Sequence, residues 1–219
     1  MKKTSLLVFD LDGTLVDSLP SLAKAFNQTL EELECPKHSL KDYKQIIGDG
    51  AEAASERCLP ENRRTREDIK KCLDLFRIHY ENLWHEAKPF PGILDLLLKN
   101  ASQNKLAVLS NKDDSFTKLC VEKFFPGIFD FVTGYKKKNG LKPGPKGLLE
   151  IMAAARRTNN ETCMIGDTAT DIRTAVNSGT KSIGVLWGYR NKKELVEAGA
   201  TYTSESAQHL SKLLSQRLT

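Results

Sequence analysis

Five short apolar runs, SLLVFD, KLAVLS, FDFVTG, TCMIGD and KSIGVLW, recur along the chain with helical patterns between them. Runs of this length read as strands, and strands that alternate with helices pair in parallel, because each crossover must return over a face of the sheet. The helical partners are expected at residues 92–100, 113–124, 145–157 and 168–178. The pattern therefore predicts an α/β fold with a doubly wound, three-layer parallel sheet.

One interval breaks the alternation. From about Ser18 to His85 the apolar residues keep helical spacing, as in REDIKKCLDLFRIHYENLW, and no strand pattern appears. The stretch KPFPG, with two prolines and a glycine, is suited to a linker at its far edge. We expect residues 1–16 and 87–219 to form the α/β core and residues 17–86 to form an inserted all-helical domain.

Composition sets the context. With 219 residues, 40% hydrophobic and 28% charged, the chain is ordinary for a globular protein. Its formal charge of +5 comes from basic residues that are scattered rather than gathered into an arm or stripe, so no nucleic-acid or membrane partner is expected. The one basic triplet, Lys136-Lys137-Lys138, reads as a solvated loop. Five widely spaced cysteines form neither a metal pair nor a disulfide framework, which fits a reducing cytoplasm. The apolar patch after the two N-terminal lysines meets acids after five residues, too short for a signal peptide core. Trp84, Trp187 and the Phe124-Phe125 pair read as packing residues. A monomer or homodimer is expected.

In an open parallel sheet, ligands bind beyond the carboxyl ends of the strands. Asp10 and Asp12 follow the first run, Ser110, Asn111 and Lys112 follow the second, and Asp167 and Asp171 follow the fourth. Lys142 lies in the loop NGLKPGPKG before another helix. Residues two apart on a strand point the same way, so Asp10 and Asp12 both reach the crevice and repel one another unless a cation intervenes. Mg²⁺ suits such a site: it takes oxygen ligands and is commonly held by one or two carboxylates together with a substrate phosphate. Asp167 is the natural second ligand, and Asp171, four residues on, supports it from behind. One carboxylate, Asp10, can then attack phosphorus, while Asp12 exchanges protons with the leaving oxygen and the hydrolytic water. Gly13 permits the sharp turn, and Ser110 and Lys142 are placed to hold phosphoryl oxygens.

These residues resemble the signature of the haloacid dehalogenase superfamily: Asp-x-Asp-Gly-Thr, a Ser or Thr, a Lys, and an acidic Gly-Asp-x-x-x-Asp stretch. The resemblance covers nearly the whole chain. It implies that Asp10 is the nucleophile and that Asp12 is the acid/base, with its backbone carbonyl on Mg²⁺. It further implies that Ser110 and Lys142 hold phosphate, that Asp167 ligates the metal, and that the helical insert is a cap closing over the substrate. Within the superfamily, IGDGAEAASERCL, PFPGI, SNK, LKPGP and GDTATDIRTAVNSGTKSIGVLWGYR resemble the bacterial phosphoglycolate phosphatases. Thr168 and Ser110 depart from that pattern while keeping a hydroxyl.

By this resemblance the substrate is a small-molecule phosphate ester such as 2-phosphoglycolate. Asn111 and the cap residues Gly48, Asp49 and Gly50 would contribute to binding it, with Arg57 available for a substrate carboxylate. Asp12 disfavours metal-free dehalogenases and transport ATPases, which carry an aromatic residue or threonine there. A pyrophosphatase or nucleotide phosphatase, a β-phosphoglucomutase-like isomerase and a non-catalytic phosphate-binding protein remain alternatives.

Overall fold

A computed structural model of the chain describes residues 5–138 and 140–216. Six parallel strands form its sheet: β1 (Leu6–Phe9), β4 (Lys105–Asp113), β5 (Phe131–Tyr135), β6 (Thr162–Gly166), β7 (Lys181–Val185) and β8 (Tyr202–Ser204). The two remaining short strands are β2 (Val16–Asp17) and β3 (Lys88–Pro89). The order across the sheet is β5-β4-β1-β6-β7-β8. The chain thus winds one way from β1 and then the other, which places the topological switch point beside β1, where crevices form in doubly wound folds.

Alternation along the central strands builds two cores. Leu7 and Phe9 of β1 face one side with Val108, Ile165 and Ile183, covered by α5 (Ile93–Ala101), α6 (Asp114–Phe124) and α10 (Ala207–Ser215). Leu6 and Val8 face the other with Ala107, Leu109 and Met164, covered by α7 (Lys146–Ala155) and α8 (Ala169–Ser178). A strand buried on both faces shows no polar alternation, which is why SLLVF reads as a continuous apolar run. The fifth apolar run ends on β7, and Trp187 beyond it packs against the first of these cores and donates to the Thr14 carbonyl at 3.0 Å.

Between β1 and β4 the chain leaves through β2 and returns through β3, which pair antiparallel, Val16 with Pro89 and Asp17 with Lys88. The segment between them holds α1 (Leu19–Glu32), α2 (Leu40–Ile46), α3 (Ala51–Cys58) and α4 (Arg66–Glu81). Local signals start two of these helices: Ser39 and Asp42 form a reciprocal capping box at α2, and the Thr65 hydroxyl accepts from the Asp68 N–H at α4. Their apolar faces meet in a separate core in which Phe26 stacks on Phe76 at 3.9 Å between ring centroids, and Tyr80 continues the stack at 5.3 Å from Phe76. Tyr189 from the sheet domain joins this cluster.

The apolar runs did not reveal β8, α9 (Lys192–Glu197) or α10. β8 is three residues long and lies at a sheet edge, and α9 is under two turns, so neither repeats its period often enough for a pattern to stand out. The basic triplet is partly engaged: Lys136 pairs with Asp114 at 3.2 Å, and Lys137 and Lys138 are exposed. All five cysteines are buried free thiols. No helix among the described residues is long and apolar enough to cross a membrane.

Candidate active site

The carboxyl ends of β1, β4 and β6 converge, and with them the acidic residues those strands carry. Asp10 hydrogen-bonds through its N–H to the Ile165 carbonyl of β6, extending the ladder by one residue. Its side chain is only 9% exposed. Gly13 then turns the chain at φ +84°, and a Cβ there would stand 2.4 Å from an Asp167 oxygen. Only glycine permits both the left-handed conformation and that approach. Gly188 closes the opposite side, where a Cβ would meet Asp167 equally closely.

Asp167 is fully buried, accepting from Thr14 Oγ1 at 2.9 Å and from the Tyr189 N–H at 2.8 Å. Asp171 is also fully buried and has two tasks. One oxygen accepts from the Thr168 N–H and hydroxyl, forming the capping box that starts α8, and the other accepts from Lys142 Nζ at 2.6 Å. The Lys142 ammonium donates at the same time to Asp10 at 2.7 Å. Asp171 therefore anchors Lys142 rather than Asp167, a contact that four-residue spacing alone does not disclose.

The charge balance of this cluster is unfavourable without a cation. Asp10, Asp167 and Asp171 present carboxylate oxygens within 4.8 Å of one another, and Lys142 alone offsets them, leaving two negative charges if all ionise. Burial, together with the neighbouring acids, raises Asp10 to about 7 and pushes Asp167 well above the ordinary carboxylate range. Burial works against the Lys142 ammonium, but Asp10 and Asp171 outweigh it and hold its pKa above the ordinary lysine value. Three hard oxygen donors carrying an excess charge of two suit a divalent cation of the Mg²⁺ type. The Asp12 carboxylate stands outside this cluster, accepting from Ser18 Oγ at 2.6 Å and from Lys112 Nζ at 3.1 Å to each oxygen.

Asn111 joins the parts. Its amide oxygen accepts from the Lys142 N–H at 2.7 Å, and its amide nitrogen donates to the carbonyls of Lys142 and, across to the helical domain, Gly48. Ser110 Oγ accepts from the Lys112 N–H at 3.2 Å. Asp10, Asp12, Ser110, Asn111 and Lys112 form the sheet side of a cavity of about 60 Å³, and Leu22, Phe26, Gly48, Gly50, Phe76 and Tyr80 contribute to the helical side. Asp49 is not part of its wall: its carboxylate is taken by Arg57 at 2.6 Å and by Thr170 Oγ1 at 2.6 Å. Arg57 is likewise turned to Asp49 and the Ile46 carbonyl. A salt bridge between two residues eight apart satisfies both charges locally, so the cap arginine does not face the cavity.

Further contacts seat the helical domain on the sheet. Arg77 of α4 forms a forked pair with Asp113, at 2.8 and 3.3 Å. Arg190 donates to the carbonyls of Lys44 and Ile47, and Tyr189 meets Ser18 at 3.1 Å. The run SNK placed Lys112 at a strand end, but nothing in the sequence pairs it with Asp12 100 residues earlier. Ser18 and Tyr80 carry no motif signal either, and Tyr189, although it lies in the stretch that ends in WGYR, is not marked there as a site residue.

With this geometry in view, the comparisons are consistent. Residues 7–185 match the model of the haloacid dehalogenase-like hydrolases. The phosphoglycolate phosphatase of Aquifex aeolicus is 33% identical over 186 residues, covering 84% of this chain and 85% of that one. That of Aliivibrio fischeri is 28% identical, covering 96% of each. A solved structure from Lactobacillus delbrueckii subsp. bulgaricus is 30% identical and superposes with a TM-score of 0.91, covering 97% of this chain and 99% of that one. The match spans both the sheet and the helices between its first two long strands, and the chain belongs to the haloacid dehalogenase-like hydrolase family as a phosphoglycolate phosphatase-like phosphatase.

Proposed function

We propose that the protein is a Mg²⁺-dependent phosphomonoester hydrolase that works through an aspartyl-phosphate intermediate on a small phosphorylated metabolite, with 2-phosphoglycolate the leading candidate. Residues 1–16 and 87–219 would form the catalytic domain and residues 17–86 the cap. The observation that carries the reading is the cluster in which Asp10, Lys142, Asp167 and Asp171 lie within hydrogen-bonding or ligand distance, where the carboxyl ends of β1 and β6 meet the loop that carries Lys142.

In the first half-reaction an Asp10 oxygen bonds to phosphorus as the bond from phosphorus to the ester oxygen breaks, and Asp12 gives its proton to that oxygen. In the second, Asp12 takes a proton from water as the water oxygen attacks the phosphorus of the acyl phosphate, releasing inorganic phosphate and restoring Asp10. Lys142 and the Ser110 hydroxyl hold phosphoryl oxygens throughout. Asp10 and Asp167, with the Asp12 backbone carbonyl, would hold Mg²⁺, and Asp171 supports the set through Lys142. When bound, the cation supplies charge neutralisation between the attacking carboxylate and the phosphate dianion.

The small cavity favours a short leaving group, since about 60 Å³ holds roughly four to six water-sized groups. The relatives named above are phosphoglycolate phosphatases, and Gly48 and Gly50 let the backbone of the cap stand at the cavity wall. A panel of phosphate esters ranked by kcat/KM, with and without Mg²⁺, tests the proposal. We expect Mg²⁺-dependent hydrolysis with 2-phosphoglycolate among the best esters. A nucleotide or pyrophosphate ahead of it by more than about tenfold, roughly 1.4 kcal/mol, would remove the substrate assignment and leave the phosphatase; full turnover in excess chelator would remove the metal.

A further inference from the structure

Lys112 has no part in the reaction as described so far, although it lines the cavity and is almost wholly enclosed. Its side chain is 6% exposed, and its ammonium lies 3.1 Å from both oxygens of Asp12, 2.8 Å from the Tyr80 hydroxyl and 4.5 Å from the centre of the Tyr80 ring. The two anchors belong to different parts of the molecule. Asp12 follows β1, whereas Tyr80 sits near the end of α4, fixed between Phe76, on which it stacks, and Phe116, which meets it edge-on at 5.1 Å. Apart from Lys112, the Asp12 carboxylate has one hydrogen-bond partner among the described residues, the Ser18 hydroxyl. The hydroxyl holds one oxygen and the ammonium holds both, so the two partners together fix where the carboxylate lies.

We propose that Lys112 is a positioning residue for Asp12, and that Tyr80 is the cap-borne group that holds Lys112 in place. The proposal rests on the assignment of Asp12 as the acid/base. It assigns the cap a part in the chemistry besides covering the substrate. The carboxylate that exchanges the proton is aligned by an ammonium whose second support is a residue of the cap, so alignment depends on α4 being seated on the sheet. Lys142 cannot substitute, since its ammonium is taken by Asp10 and Asp171.

The test uses the proton demand of the leaving group. An alkyl phosphate needs a proton on its departing oxygen, whereas p-nitrophenolate leaves without one. The phosphorylation step is measured by rapid quench under single-turnover conditions for 2-phosphoglycolate or glycerol phosphate and for p-nitrophenyl phosphate. Lys112→Met is expected to slow phosphorylation from the alkyl ester by about 100-fold, within the usual range of acid catalysis, and from the aryl ester by less than about threefold. Tyr80→Phe keeps the ring and the fold and should show the same selectivity at about fivefold, with Lys112→Arg recovering part of the loss.

Equal losses on both esters with Lys112→Met and Tyr80→Phe, or no loss on the alkyl ester, would overturn the proposal and leave Lys112 a structural ion pair. Should Lys112→Met fail to fold, Tyr80→Phe alone decides by the same ratio. Asp12→Asn measured in parallel separates the two levels: if it shows no preference between leaving groups, the acid/base assignment itself falls, whatever Lys112 does.

Discussion

At the sheet side of the cavity four carboxylates gather around two ammonium groups: Lys142 bonds Asp10 and Asp171 and Lys112 bonds Asp12, at 2.6 to 3.1 Å, while Asp167 is held by the Thr14 hydroxyl and the Tyr189 N–H. On the helical side the wall is built from Leu22, Phe26, Ala54 and Phe76, with Tyr80 the one aromatic whose hydroxyl turns to an ion. The first surface is held by long-range polar contacts that burial makes costly to break, the second by packing within a small aromatic core. The difference teaches that charge chemistry and substrate shape are entrusted to different kinds of force. The sheet side is electrostatically loaded, and the helical side is apolar and set by the shapes of its stacked rings.

The largest loss is expected at Asp10. Asp10→Asn should lower kcat by at least about 10⁴-fold, roughly 5 kcal/mol of transition-state stabilisation, while the protein stays folded, because the amide keeps the shape and removes one of several mutually repelling acids. Turnover within tenfold of the parent would show that the loaded surface is not the reacting one.

On the other wall the expected cost is in stability. Phe76→Ala empties the centre of the Phe26–Phe76–Tyr80 stack and should cost about 3–5 kcal/mol of folding free energy in denaturant titration. Because this core is separate from the two beside the sheet, the loss should be confined to the helical domain, visible in hydrogen exchange as faster opening of α1 and α4 while β1 and β6 stay protected. Uniform loss of protection would mean that the two regions unfold as one unit.

The electrostatic load predicts a pH dependence of definite sign. Burial raises Asp10 to about 7 in the folded, metal-free protein, against an ordinary value near 4 in the unfolded chain. Between those values the folded state holds a proton that the unfolded state has lost, so stability falls as pH rises through the window and levels above it. The upper limit of the effect is about 4 kcal/mol. With chelator present, Tm should decline from pH 5 to pH 8 more steeply than in Asp10→Asn, and Mg²⁺ should raise Tm more at pH 8 than at pH 5. A parent slope no steeper than that of the variant contradicts the assignment of the load to Asp10.

The smallest effect is expected where the two regions meet at the surface. Arg77 and Asp113 are partly exposed, with side chains 41% and 21% accessible. Arg77→Ala should change Tm by the equivalent of less than about 1 kcal/mol. A loss of several kcal/mol would make this pair, rather than the inner contacts of Lys112, Asn111 and Tyr189, the main hold of the cap.

The sequence by itself determined the sheet strands that are buried on both faces, since a strand such as LLVF has no polar partner to alternate with, and it determined the helical interval, since apolar spacing is a local property of the chain. It also placed Asp10, Asp12, Ser110, Lys142 and Asp167 at strand ends or helix approaches, because topology sends those ends to one crevice. How the charges pair is settled by the folded arrangement alone. Asp171 turns to Lys142, Lys112 spans to Asp12 and Tyr80, and Asp49 binds Arg57 and Thr170 rather than facing the cavity. Those choices depend on distances between residues up to 121 positions apart, as for Asp49 and Thr170, and on the cost of burying each charge without a partner, neither of which any local pattern of residue types encodes.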